Sequence, residues 1–145
     1  NQDITTIVKR SFYYMKDRSS SKINFKLEVS EKTVFSSLNT QLFGWVIENI
    51  MRNAIDALQA KGEIKVAIKE HSKNVIIDIS DNGKGIKSSQ LKTVFEPGYT
   101  TKLRGWGLGL SLVKRIVEDY HKGQVYILHS ELGKGSTFRI SLLKS

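Results

Sequence analysis

Residues 63–86, EIKVAIKEHSKNVIIDISDNGKGI, carry the pattern on which the architecture turns. Ile64, Val66 and Ile68 alternate with polar residues, and Val75, Ile77 and Ile79 repeat at the same two-residue period of half-buried strands. His71-Ser72-Lys73 separates the runs, so residues 63–70 and 74–80 read as an antiparallel hairpin. Asp81-Asn82-Gly83-Lys84-Gly85 then forms a turn.

Upstream, Ile4, Ile7, Val8, Phe12 and Met15 recur at helical spacing and predict a first amphipathic helix over 4–17, broken by Ser19-Ser20-Ser21. Ile23, Phe25, Leu27 and Val29 alternate as a strand, and a long helix is expected over 38–60, closed by Gly62 as its C-terminal cap. Downstream, a short helix is expected over 88–95, and Pro97-Gly98 makes 96–106 a loop. A second long helix is expected over 107–120, with Leu112, Val113, Ile116, Val117 and Tyr120 on its inner face and Gly123 at its end. Strands over 124–130 and 136–143 meet through Gly133-Lys134-Gly135. Five strands and three substantial helices predict an α+β fold. The expected form is a two-layer sandwich with the helices on one face of a mostly antiparallel sheet.

The 145 residues, 39% hydrophobic and 26% charged, suit one domain over 1–145. With no cysteine, the chain excludes disulfides, thiol redox chemistry and the usual cysteine zinc sites. No run approaches the roughly 20 apolar residues that span a bilayer, and the opening NQDITTIVKR lacks a signal-peptide core, so the piece itself is expected to be soluble, and either cytoplasmic or the cytoplasmic part of a membrane protein. Lacking an initiator Met, the chain reads as a fragment of something larger. The net charge of +9 admits nucleic acid, a membrane surface or a phosphorylated ligand. Distribution narrows that choice. Residues 81–115 hold seven basic residues against two acids and six of the eleven glycines, which favours a small phosphate-bearing ligand.

Several motifs fail on context. Val66-Ala67-Ile68-Lys69 matches a protein-kinase strand, but no HRD or DFG follows and the glycine-rich segments come after it. Ser19-Ser20-Ser21-Lys22 and Ser80-Asp81-Asn82 mimic β-lactamase elements in a chain too short for that fold. No Walker A sequence or complete GxGxxG occurs, and His71, His121 and His129 lack metal-ligand spacing.

One constellation survives. At ~100° per residue, Asn49 and Asn53 share a helix face with Asp56 close by, while Glu48 is expected to turn away toward Arg52 and Gln59. An amide oxygen suits Mg²⁺, which leans on substrate phosphates. Asp81, directly after a strand, can accept a hydrogen bond from an exocyclic amine such as adenine's, beside glycines that let backbone approach a flat ligand. Residues 105–110, GWGLGL, open a helix, where backbone N–H groups and the positive end of the dipole favour phosphate.

Together and in this order, these segments resemble the catalytic domain of sensor histidine kinases, the Bergerat fold shared with gyrase, Hsp90 and MutL ATPases. Residues 48–58 (ENIMRNAIDAL) resemble the family's N box and 81–86 (DNGKGI) its first glycine box. Val94 and Phe95 match the F box, 105–110 the second glycine box, and 133–138 (GKGSTF) the third. The run FEPGYTTK at 95–102 is similar to the nitrogen-regulation branch.

The resemblance implies ATP and Mg²⁺ as ligands, with Asn53 on the metal, Asp81 on the adenine amine, and Gly83, Gly85 and Ile86 lining the base pocket. It implies a lid over 96–106, phosphates held at Gly105, Gly107 and Gly109, and Ser136 and Thr137 supporting the Asp81 contact. Asn49, Asp56, Thr100, Thr101, Trp106, Leu108 and Leu110 fall in the same nucleotide site. Lys102 and Arg104 are candidates for the γ-phosphate by charge and position. The family's acceptor histidine sits on a separate dimerisation hairpin, and none of the three histidines here fits its motif. That hairpin, a response-regulator receiver domain and a second copy of the full-length protein are the implied partners, with no nucleic acid.

Departures from the family bear on the chemistry. Gyrase-like ATPases place a glutamate where this chain has Asn49, and an amide is not a general base at neutral pH. ATP should therefore be held with little hydrolysis. Asp56 stands where many histidine kinases have lysine, and Trp106 where threonine or serine is commoner. A gyrase-like ATPase or a pyruvate-dehydrogenase-kinase-like enzyme is the alternative, and a basic nucleic-acid-binding module a distant third.

Overall fold

The computed structural model describes residues 2–29, 34–97 and 109–145. A short strand β1 (Gln2–Asp3) leads into helix α1 (Ile4–Asp17), whose first turn is capped by Asp3 Oδ1 accepting from Thr5 N at 3.0 Å. Strand β2 (Ile23–Val29), a two-residue β3 (Phe35–Ser36) and helix α2 (Thr40–Leu58) follow. Asn39 caps α2, its Oδ1 accepting from Leu42 N at 3.0 Å. Then come β4 (Gly62–His71) and β5 (Asn74–Asp81), a 3-10 turn at Ser88–Gln90, helix α3 (Gly109–Arg115), β6 (Gln124–Glu131) and β7 (Gly135–Leu143).

The main sheet has five strands in the order β2-β4-β5-β7-β6. Only β2 and β4 run parallel; the other three pairings are antiparallel. The hairpin read from residues 63–80 is the β4–β5 pair, with His71 opposite Asn74. A second sheet, β1 with β3, carries no sequence signal that predicts it.

Alternation divides the main sheet by face. Ile64, Val66 and Ile68, Val75, Ile77 and Ile79, and Phe138, Ile140 and Leu142 are all buried, as are Phe43, Val46, Ile47, Ile50 and Met51 of α2. All but Ile64, which packs with Ile23, Ala54 and Leu58 in a smaller cluster, join Ile4, Ile7, Val8 and Phe12 of α1 and Val113 and Val117 in the main core. At roughly 25 cal/mol per Å² of apolar surface removed from water, this layer drives the assembly. The opposite face is polar. There Lys26 pairs with Glu63 at 3.4 Å, Lys65 with Glu28 at 3.1 Å, and Arg139 grips Asp78 through two bonds of 2.7 and 2.8 Å.

Five expectations about the elements need correction, the first being the short helix over 88–95, of which only the 3-10 turn at Ser88–Gln90 forms. The long helix stops at Leu58, where Gln59 (φ 54°) and Ala60 (φ 78°) make the left-handed exit. Gly62 begins β4 instead of capping the helix, and glycine is needed there because a β-carbon would lie 2.7 Å from both Asn82 Oδ1 and Leu58 Cδ2. After Arg115, residues Ile116–Tyr120 form a π turn, with His121 N bonded to the Ile116 carbonyl at 3.0 Å. The wider turn shifts the helical phase, so Tyr120 is 62% exposed instead of lining the core. The final turn is completed by Lys122 at φ 57°, ahead of Gly123. Lastly, Glu48 faces α1, where its Oε2 lies 3.2 Å from Ser11 Oγ, and not Arg52.

Candidate functional site

Asp81 is the last residue of β5, paired across the sheet with Ser136 of β7 and Ile64 of β4. It is only 9% exposed. Its Oδ1 accepts from Gly83 N at 2.8 Å, and the Ser136 backbone also bonds the carboxylate. Burial nevertheless outweighs these bonds and pushes the carboxyl up from its ordinary value. Asn82 turns outward, its Oδ1 accepting from Glu63 N at 2.8 Å, which fixes the strand end against β4.

The loop after Asp81 is confined on two sides. Toward α2, Lys84 N bonds the Ala57 carbonyl at 3.1 Å, and a β-carbon at Gly83 would lie 2.3 Å from that same oxygen. Toward the β6–β7 hairpin, Gly85 (φ 74°) lies against the Glu131 carbonyl, which a β-carbon would approach to 2.2 Å. Both glycines are thus required by backbone contact. Ile86 N bonds Ser130 Oγ at 2.8 Å, and Ile86 packs half-buried on the core.

The asparagines of α2 are not equivalent. Asn49 Nδ2 donates to the Trp45 carbonyl at 2.8 Å, and its Oδ1 accepts from Arg52 at 3.3 Å. Asn53, one turn later, has no side-chain hydrogen bond among the described residues, leaving its amide oxygen available. A β-carbon at Gly109 would sit 3.7 Å from Asn49 Oδ1, so the described start of α3 adjoins the same face of α2. Leu110 packs half-buried on the core beside it. Phe95 stacks edge-on against Phe138 at 6.0 Å, with Lys114 Nζ 6.0 Å from the Phe95 ring centre. The F-box residue thereby joins α3 to β7.

Two expected members lie elsewhere. Thr137 is bonded to Ser80 Oγ at 2.9 Å and lies 3.4 Å from His129 Nε2, so its hydroxyl does not serve Asp81. Adjacent strand residues point to opposite faces, and only Ser136 is paired with Asp81. Asp56 is exposed and lines a groove between α1 and α2 with Tyr14, Arg18, Arg52 and Gln59. Thr100, Thr101, Lys102, Arg104, Gly105, Trp106, Gly107 and Leu108 lie outside the described residues, as does most of the expected 96–106 lid.

Sequence reasoning missed Asn82 and Ser130, which act on backbone groups. A hairpin centred on Gly133 already places Ser130 opposite Ser136, which was the available signal.

Residues 39–145 match the family model described as histidine kinase-, DNA gyrase B- and HSP90-like ATPase. The chain belongs to this ATPase family. Within that family the chain resembles sensor histidine kinases. Sensor histidine kinase ZraS of Escherichia coli is 35% identical over 97% of the chain, which spans 30% of that protein. Signal transduction histidine-protein kinase AtoS of Escherichia coli is 35% identical over 84% of the chain. Nitrogen regulation protein NtrY of Azorhizobium caulinodans is 28% identical over 98%. The chain thus covers less than a third of these curated relatives. The catalytic domain of histidine kinase ThkA superposes with a TM-score of 0.88 at 24% identity, covering 99% of this chain and 93% of that one. No described helix is long and apolar enough to cross a membrane.

Proposed function

We propose that the domain holds MgATP and presents its γ-phosphate to a histidine on a separate dimerisation hairpin. The observation carrying this reading is the buried Asp81 carboxylate at a strand end, floored by Gly83 and Gly85 where backbone contact admits no side chain. A buried carboxylate with unfilled acceptor capacity suits an exocyclic amine, which gives adenine its place.

The residues fit magnesium in a particular way. No cluster of three or more acidic, histidine or cysteine residues forms a metal cage among the described residues. A site of that kind suits an ion held mainly by phosphate and water, with one neutral oxygen ligand from the protein. Asn53 supplies that oxygen, being the amide of the α2 pair that bonds no described side chain or backbone group. Magnesium, when bound, neutralises phosphate charge for in-line transfer.

The chain's own work is positioning. Asp81 and the 83–86 loop orient the base, Gly109 and Leu110 bring α3 alongside α2, and Lys102 and Arg104 are the candidate γ-phosphate contacts. Asn49, amide-bonded and neutral, activates no water, so ATP waits for an acceptor. The acceptor hairpin, a receiver domain and a homodimer of the whole protein complete the proposed system, working in the cytoplasm where ATP is held. ThkA has been crystallised in complex with the response regulator protein TrrA, which supports the receiver-domain partner by analogy of fold.

Calorimetric titration of the folded chain with MgATP tests the proposal. Saturable uptake accompanied by slow steady hydrolysis is expected. No uptake overturns the reading, and brisk hydrolysis replaces it with that of an autonomous ATPase.

A further inference from the structure

The loop that floors the proposed base pocket is not held by its own sequence. Ile86 N donates to Ser130 Oγ at 2.8 Å, and Gly133 N donates to the Lys84 carbonyl at 2.9 Å, both from the β6–β7 hairpin. Ser130 Oγ lies 2.7 Å from Ser136 Oγ and 3.3 Å from the Gly135 carbonyl. A hydroxyl has one proton and two lone pairs. Ser130 therefore uses its full capacity by accepting from Ile86 and Ser136 and donating to Gly135. Ser136 is itself the residue opposite Asp81, with its backbone bonded to the carboxylate. One hydroxyl thus joins both walls around Asp81: the loop that follows it and the strand beside it.

We infer that Ser130 is a positioning residue for the nucleobase pocket, its hydroxyl setting the 83–86 loop against β7 so that Asp81 and the loop backbone meet the base together. The inference rests on the reading of Asp81 as the adenine acceptor. Ser130 reaches the base only through Ile86 and Ser136, so its effect should fall on the base and spare the triphosphate. Removing the hydroxyl leaves the Ile86 N–H without its acceptor and lets the loop drift from the hairpin. Threonine keeps the hydroxyl and suits a strand.

The test compares wild type, Ser130→Ala and Ser130→Thr by calorimetry with MgATP and with magnesium tripolyphosphate, which lacks the base. Hydrogen exchange at the Ile86 amide is followed in the nucleotide-free protein. The expected result is a loss of about five- to tenfold in ATP affinity for alanine, recovery in threonine, and tripolyphosphate affinity unchanged throughout. The Ile86 amide should be protected in wild type. An alanine variant that binds ATP like wild type, or that loses ATP and tripolyphosphate equally, overturns the inference while leaving the ATP reading intact. If the alanine variant does not fold, an unprotected Ile86 amide in wild type overturns it alone, and a protected one supports it. Wild type that takes up tripolyphosphate but no preference for ATP overturns the adenine reading itself, and this inference with it.

Discussion

Gly135 lies so close beneath Asp81 that a β-carbon built on it would stand 2.0 Å from the Asp81 carbonyl oxygen. Its φ of 120° is also one that L side chains rarely adopt. The third glycine box is therefore a steric condition for the placement of the Asp81 carboxylate. Gly135→Ala should cost roughly 3 kcal/mol or more in unfolding free energy, through clash with backbone that cannot step aside. Denaturant unfolding of the two proteins measures it. A loss below about 1 kcal/mol would show that the two strands separate easily at this point.

Asp81 trades stability for binding. Its carboxyl is raised above 3.8 by burial, so the native state keeps the proton longer than the unfolded chain does. The group's favourable contribution is complete below the unfolded value and is lost as pH rises through the folded value. Asp81→Asn does not titrate there. Relative to that variant, wild type should therefore lose melting temperature as pH climbs from about 4 to neutrality, and the gap should close in acid. The same substitution should weaken MgATP binding by ~1–3 kcal/mol by removing a charge-assisted hydrogen bond. Melting curves from pH 4 to 8 and calorimetric titration at pH 7 read the two effects independently.

Asn53→Ala is expected to lower MgATP affinity by about ten- to a hundredfold while leaving the melting temperature close to wild type, since its amide bonds no described residue. Affinity for ATP measured in EDTA should hardly change. Asn49→Ala, which deletes the bond to Trp45 and the contact with Arg52, should show a smaller metal dependence and a small loss of stability. Reversal of that order would move the metal to Asn49.

Asp78 and Arg139 form a two-bond pair on the polar face of the sheet, 12% and 20% exposed. Hydrogen bonding to Asp78 holds the guanidinium firmly protonated. A double-mutant cycle with Asp78→Asn and Arg139→Ala should give a coupling of about 1–2 kcal/mol in stability. Nucleotide affinity should not change, because the pair faces away from the helical layer.

The alternation of Ile64, Val66, Ile68 and Ile77, Ile79 made the central hairpin legible, because apolar period and burial coincide there. Two glycines after Asp81 were legible for a different reason: Gly83 and Gly85 each answer a local demand for close backbone approach. What failed depended on phase or partner. A helical wheel assumes a constant turn, so it could not foresee the π turn that swings Tyr120 outward. The preference for glycine at helix ends pointed to Gly62, whereas Gln59 and Ala60 take the strained conformations and Gly62 answers to Leu58 and Asn82. Strand parity, already present in the sequence, separates Ser136 from Thr137, and only the pairing with Asp81 says which of them matters. Ser130 stayed hidden because the hairpin pattern gives only its place opposite Ser136, while its bond to the Ile86 N–H depends on where the 83–86 loop lies.

Strands β2 and β4 lie side by side in the same direction, with the 19 residues of α2 between them in the chain. A strand joined to its neighbour by a short bend can zip up at once, whereas Ile23–Val29 must await a helix laid across the gap before its ladder closes. Contact order therefore makes the β2 edge the seam expected to close after the β4–β5 hairpin, which holds the Asp81 strand end in place.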